Sequence, residues 1–145
     1  MLTQEDKQLL LKDLCARLPY DVKVEVQFED NGLIKNCVDV LNVINLHMFM
    51  LGGGYYENGH LYKKPQYSLR PYLRPMSNMT EEEKSYCRNL IEHSYNDYDG
   101  TNTACVIQDE ISNYVDYLNS HYLDWRGLIE KGLALEAPEG MYKTE

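Results

Sequence analysis

The chain is poor in hydrocarbon aromatics, in basic charge and in long apolar runs. It has two phenylalanines and one tryptophan against thirteen tyrosines. A core built on large apolar rings is therefore excluded, and the aromatic content suits places where one end of the ring is dry and the other wet. Lys and Arg number 14 against 23 Asp and Glu, a formal charge of −9, whose sign disfavours non-specific attraction to nucleic acid or to an anionic membrane. No apolar stretch approaches the roughly 20 residues that cross a bilayer. The start, Met-Leu-Thr-Gln-Glu-Asp-Lys, lacks the basic and apolar regions of a secretory signal. The expectation is a soluble cytoplasmic protein. Cys15, Cys37, Cys87 and Cys105 form no C-x-x-C pair, so neither a zinc knuckle nor a thioredoxin-type motif can be drawn. Reduced thiols acting as small hydrophobes are expected instead.

What is present has the proportions of one globular domain over 145 residues, with 43% apolar and 26% charged residues. Four parts are expected: a helix to residue 19, a strand-rich part over 20–75, a helical part over 76–135 and a tail over 136–145. Thr3 begins the helix as a cap, with Asp6 three residues on. Leu10, Leu11, Leu14, Cys15 and Leu18 follow at helical spacing. Pro19 stops it near residue 17, with Lys7, Lys12, Asp13 and Arg17 facing solvent. The period then changes to two. Val22, Val24, Val26 and Phe28 alternate with polar residues, Asp30-Asn31-Gly32 supplies a tight turn, and Leu33 to Leu41 returns as a second strand. The apolar run Val43 to Leu51, which includes His47, predicts a central strand. A hairpin is expected around Asn58-Gly59, then a short strand Tyr67 to Leu69, with Pro71 and Pro75 confined to an edge or an exit.

Thr80-Glu81-Glu82-Glu83 reads as a capping box. It opens a helix over about 81–93 whose inward residues are Tyr86, Leu90, Cys87 and Ile91. Ser94 to Thr103 reads as a loop. Ile107, Ile111, Tyr114, Val115, Leu118 and Tyr122 then predict a helix over about 105–120, and the tail is expected to fray. The resulting fold class is α+β: an N-terminal helix, a small curved antiparallel sheet or barrel, and two to three C-terminal helices.

No pattern specifies catalysis, a metal or a cofactor. The four histidines show no i, i+4 pairing, Asp97-Tyr98-Asp99-Gly100 lacks the rest of a calcium loop, and the acidic pairs sit where a solvated helix face carries them. Charge is unevenly spread. Residues 58–80 hold Lys63, Lys64, Arg70 and Arg74 and no acid, between acidic flanks. These cations interleave with Tyr62, Tyr67 and Tyr72, a mixture that contacts phosphates and stacks on bases. Gly52-Gly53-Gly54 has the conformational freedom to turn amides toward an anion, though no Lys-Ser or Lys-Thr follows as a phosphate loop requires. The candidate ligand-binding residues are thus Lys63, Lys64, Arg70, Arg74, Tyr62, Tyr67, Gly53 and Gly54. The competing reading is that the cations answer neighbouring acidic helices.

Three phrases carry a resemblance: Leu10-Leu11-Lys12-Asp13-Leu14-Cys15-Ala16-Arg17-Leu18-Pro19-Tyr20, Leu69 to Glu83, and Leu128 to Tyr142. Together they resemble a group of uncharacterised proteins from prophages and mobile elements of gut Bacteroidales bacteria. Residues 30–67, with the triple glycine, depart from that group's pattern. The resemblance implies a genomic setting and no catalytic residue. Within it the expected function is a non-enzymatic accessory protein that acts as a protein-interaction module, binding a host or phage protein in host interference. The alternative is counter-defence by sequestering an anionic nucleotide, with the cations converging in a cleft across a homo-oligomer interface.

Overall fold

The computed structural model describes residues 2–51, 55–62, 67–96 and 103–142. They form two compact units, one from residues 1–73 and 126–145, the other from Arg74–Trp125.

The first unit opens with α1, Gln4–Arg17. The Thr3 hydroxyl accepts from the Asp6 amide at 3.0 Å and the Asp6 carboxylate accepts from the Thr3 amide at 3.3 Å, so two of the four amides that a helix start leaves over are satisfied reciprocally. A single 3₁₀ turn, Leu18–Tyr20, carries Pro19 in its opening positions, where no amide is needed. Leu10 and Leu14 are fully buried, each worth about 1.5–3 kcal/mol of transfer free energy. Against expectation, Asp13 and Arg17 share that buried face. Each oxygen of the Asp13 carboxylate takes one guanidinium: Oδ2 accepts from Arg17 Nε at 2.9 Å and Oδ1 from Arg126 Nη1 at 2.7 Å. The i, i+4 spacing that looked like a solvated pair is an internal ion network, completed by a residue 113 positions away.

The sheet of this unit has four strands in the order β2-β1-β5-β6. Strands β1, Lys23–Asp30, and β2, Leu33–Val40, form the expected hairpin. Its turn has Asn31 and Gly32 at φ 52° and 81°, the left-handed pair such a two-residue turn requires. Val22, Val24 and Val26 are fully buried. β5, Tyr67–Leu73, runs antiparallel to β1 and is longer than the sequence suggested. It accommodates Pro71 because the β1-facing backbone groups of β5 alternate onto residues 68, 70 and 72, which turns the missing amide of residue 71 away from that ladder. β6, Leu135–Glu136, pairs parallel with Tyr72 and Leu73. The sheet is thus mixed and open, neither wholly antiparallel nor closed into a barrel. A separate two-stranded hairpin, β3 (Tyr55–Glu57) with β4 (His60–Tyr62), turns at Asn58-Gly59 as expected.

Two further expectations are overturned. Val43–Leu51 is a helix, α2, rather than a central strand. Asn42 and Asn45 cap each other's amides through their side chains, both at 2.9 Å. This reciprocal box settles a run whose continuous apolarity fits either state. The tail also docks instead of fraying up to Tyr142. The β1–β5 register would place Lys23 opposite Tyr72, but pairing ends at Val24 and Pro71. There the Tyr142 hydroxyl stands in for the ladder, accepting from the Lys23 amide at 2.8 Å and donating to the Tyr72 carbonyl at 2.8 Å.

In the second unit a single 3₁₀ turn, Met76–Asn78, precedes α3, Glu81–Asn96, and α4, Thr103–Ser120, follows. Cys87, Leu118 and Leu123 form its buried apolar centre, with Met76, Met79, Tyr114, Tyr117 and Trp125 packed on it. Among the described side chains of α3, Glu83 and Cys87 are buried and Leu90 is half-buried, whereas Tyr86 is exposed; the side chain of Ile91 lies outside the described ones. On α4, Ile111 is exposed as well. Residues 97–102, and with them the Asp97-x-Asp99 pair and most of the expected loop, lie outside the described residues.

Two substitutions test these joints by urea denaturation. Asp13→Ala leaves two arginines without their shared carboxylate and is expected to cost about 3–5 kcal/mol. Tyr142→Phe removes one hydroxyl that bridges two strands and should cost about 1–3 kcal/mol. A loss below about 0.5 kcal/mol, the range of ordinary surface changes, contradicts either role.

Candidate functional site

The basic segment divides between the two units. Arg70, on β5 of the first unit, donates from Nη2 to Glu25 Oε1 at 2.7 Å. The two residues oppose each other across β1 and β5, so sheet register alone brings them together. Tyr72 lies two positions on along the strand. Burial, reinforced by the Glu25 carboxylate, raises its phenol above the ordinary value, with Arg70 opposing. Tyr67 and Tyr62 are placed on β5 and β4. Lys63, Lys64, Gly53 and Gly54 lie outside the described residues.

Arg74, in the second unit, is committed to the fold. Its guanidinium has five N–H donors, and each has an acceptor. Nη1 donates to Glu83 Oε2 at 2.8 Å and to the His121 carbonyl at 3.0 Å. Nη2 donates to Glu83 Oε1 at 2.7 Å and to the Asn78 carbonyl at 3.2 Å, and Nε donates to Asn78 Oδ1 at 3.1 Å. Glu83 is at the same time the carboxylate of the capping box. Its Oε1 accepts from the Thr80 amide at 2.8 Å, while the Thr80 hydroxyl accepts from the Glu83 amide at 3.1 Å. The Arg74 hydrogen bonds hold the Glu83 carboxyl down to about 2, outweighing the upward push of burial. Arg74 rises in turn through the same bond.

Around this pair stand Tyr86, Tyr117 and His121, stacked in series with ring centroids 4.3 and 4.0 Å apart. The helical spacing of Tyr117 and His121 makes the second contact, and α3 supplies Tyr86. His121 Nδ1 lies 2.9 Å from the Tyr117 carbonyl and 3.1 Å from Ser120 Oγ, while that hydroxyl donates to the same carbonyl at 2.9 Å. This hydroxyl and imidazole therefore serve the end of α4. Burial raises the Cys87 thiol, with Glu83 adding to it, which keeps the sulfur protonated and unreactive. Tyr117 and Tyr114 are likewise raised, chiefly by burial. Among the described residues no three His, Cys, Asp or Glu side chains gather as metal ligands.

The first unit instead offers an apolar surface that sequence reasoning missed. On α2, Leu46 and Phe49 are buried, yet Val43, Ile44 and Met50 are 69, 59 and 51% exposed. His47, expected in a core, is exposed among them. On β2, Leu33, Ile34 and Val38 are 67, 63 and 57% exposed. A signal for this surface existed. Leu33-Ile34 breaks the alternation of a half-buried strand, and Val38 and Val40 sit in the opposite phase to Cys37, so neither face of β2 reads as cleanly polar.

The Glu83 arrangement fixes a pH dependence. A folded-state value near 2 against an ordinary 4.5 means stability that is fully present above about pH 4.5 and lost as pH falls toward 2, on the order of 3 kcal/mol. Glu83→Gln should lower stability at pH 7 and flatten the acid limb between those values. A variant with the wild-type slope in acid denaturation would remove Glu83 as its source.

Comparison with protein-family models, curated proteins and solved structures returns no match for this chain.

Proposed function

We propose that this is a non-enzymatic accessory protein of phages or mobile elements that binds a protein of the host cell and acts in host interference. The observation that carries this reading is α2. A helix as apolar as this one belongs in an interior, yet among its described side chains only Asn45, Leu46 and Phe49 are buried, and Val43, Ile44 and Met50 are exposed. Contiguous exposed apolar side chains on a folded unit mark interaction surfaces. The described tyrosines support the surface less than composition suggested. Of those whose side chains are described, Tyr86 is exposed and the others are half-buried. Sequestration of an anionic nucleotide draws less support, because Arg74 has no donor left over and Arg70 is engaged by Glu25.

Val43 and Ile44 are the first two residues of α2, where a carboxylate is tolerated or favoured by the helix dipole. Val43→Asp with Ile44→Asp therefore changes the surface without opposing the helix. The tagged full chain is expected to recover a specific protein from lysate of a gut Bacteroidales host. The double variant, with a melting temperature near wild type, should recover it about tenfold less or worse. Recovery unchanged by the double substitution would sink this reading. A thermal shift with nucleotides and no recovered protein would favour sequestration.

A further inference from the structure

We propose that β2 is a self-pairing edge, joining antiparallel to β2 of a second copy of this chain about a two-fold axis at Cys37. The proposal goes beyond the preceding reading, concerns β2 rather than the exposed face of α2, and stands if partner capture fails.

β2 is the outer strand of the sheet and pairs with β1 alone among the described residues. Which of its backbone groups point outward follows from the turn. A two-residue hairpin makes the flanking pair, Asp30 and Leu33, a hydrogen-bonded one. Alternation then turns residues 33, 35, 37 and 39 toward β1 and residues 34, 36, 38 and 40 outward. Observed bonds agree. The Leu41 amide donates to the Val22 carbonyl at 2.8 Å, continuing the inward set. At Val40, an outward residue, the amide donates to Asp39 Oδ1 at 2.8 Å, and the carbonyl accepts from the side-chain amides of Asn42 and Asn45 at 3.0 Å. The edge is therefore closed at that end and open at Ile34, Asn36 and Val38. An exposed apolar edge of this kind is a template for another strand.

The occupant is identified by the strand's own pattern, Leu33-Ile34-Lys35-Asn36-Cys37-Val38-Asp39-Val40. A two-fold axis perpendicular to the sheet keeps each face matched, so a residue must oppose one of its own phase. An axis at Cys37 sets Lys35 against the second copy's Asp39 twice over, and Ile34 against Val40 twice over. It also sets the outward backbone of Asn36 against that of Val38 twice, giving four inter-chain hydrogen bonds. Axes one residue away lose the match. At Asn36, Lys35 faces a thiol and Leu33 faces Asp39; at Val38, Lys35 faces Leu41 and Cys37 faces Asp39. Opposite charges directly across a ladder favour pairing and like charges oppose it, so the strand is complementary to itself in one register. In that register the two Cys37 residues form a non-hydrogen-bonded pair, with Cα atoms about 4.5 Å apart, inside the range a disulfide spans.

Sedimentation equilibrium of the full chain is expected to give a dimer of twice the 17.0 kDa chain mass. Mild oxidation with diamide, which takes up the two electrons and two protons released by two thiols, should yield a covalent dimer. That dimer is lost in Cys37→Ser and retained in Cys15→Ser, although Cys15 is the more exposed thiol. Val38→Pro removes an outward amide without touching the β1 ladder, and Lys35→Asp sets carboxylate against carboxylate. Each should weaken the dimer about tenfold or more. Adding Asp39→Lys to Lys35→Asp exchanges the charges and should restore it, a rescue that a merely misfolded variant does not give. A monomeric wild type, a dimer indifferent to both single substitutions, or a cross-link surviving Cys37→Ser overturns the proposal.

Discussion

The second unit depends on one buried ion pair, Arg74 with Glu83. Burying a guanidinium and a carboxylate together is costly, and the attraction offsets it only when geometry is good and every remaining donor finds a partner. Both conditions hold. The contact is bidentate at 2.7 and 2.8 Å, and the other donors go to Asn78 and to the His121 carbonyl. One side chain thereby fixes the Met76–Asn78 turn, the start of α3 and the chain just past α4. The backbone of Arg74 joins in. Its amide donates to the Tyr122 carbonyl at 2.7 Å and its carbonyl accepts from the Asp124 amide at 2.8 Å. α4 must end where it does for this to happen. It closes with the Leu123 amide on the Leu118 carbonyl and the Tyr122 amide on the Asn119 carbonyl, with Tyr122 at φ 62°. That is the helix stop in which glycine is usual, and a tyrosine there carries a left-handed backbone that costs about 1–2 kcal/mol.

The first unit uses the same device with the polarity reversed. One carboxylate, Asp13, collects two arginines, where one arginine had collected several acceptors. Replacing such a network whole by apolar residues is often neutral, whereas removing one partner leaves a buried charge uncompensated. Arg70 and Arg74, the described cations of the basic segment, are thus engaged inside the fold. Among the described residues, exposed aliphatic side chains gather on β2 and α2.

Much of the local structure was legible. The Thr3 and Thr80 caps, the Asn31-Gly32 and Asn58-Gly59 turns, the alternation through Val22, Val24 and Val26, and the extent of α1 all follow from interactions within a few residues. The Val43–Leu51 run was misread because continuous apolarity fits a buried strand or a helix equally, and the deciding Asn42-x-x-Asn45 box is a less familiar cap than one built on Ser or Thr. Tyr86 and Ile111 looked inward because helical spacing identifies a stripe, not which stripe a neighbour covers. Of the candidate site, the sequence identified the cations but not their partners.

The sequence by itself determined the α+β class, the caps, the tight turns and the acidic balance, since each depends on chain-local geometry or on composition. Only the tertiary structure decided that the sheet is open and mixed, that Asp13, Arg17 and Arg74 are interior, that Tyr142 completes a ladder at Lys23 and Tyr72, and that β2 and one face of α2 are left uncovered. Each of these is a pairing between residues far apart in the chain, whose free energy is set by desolvation and hydrogen-bond completion at the point of contact. No local pattern encodes which distant group arrives there.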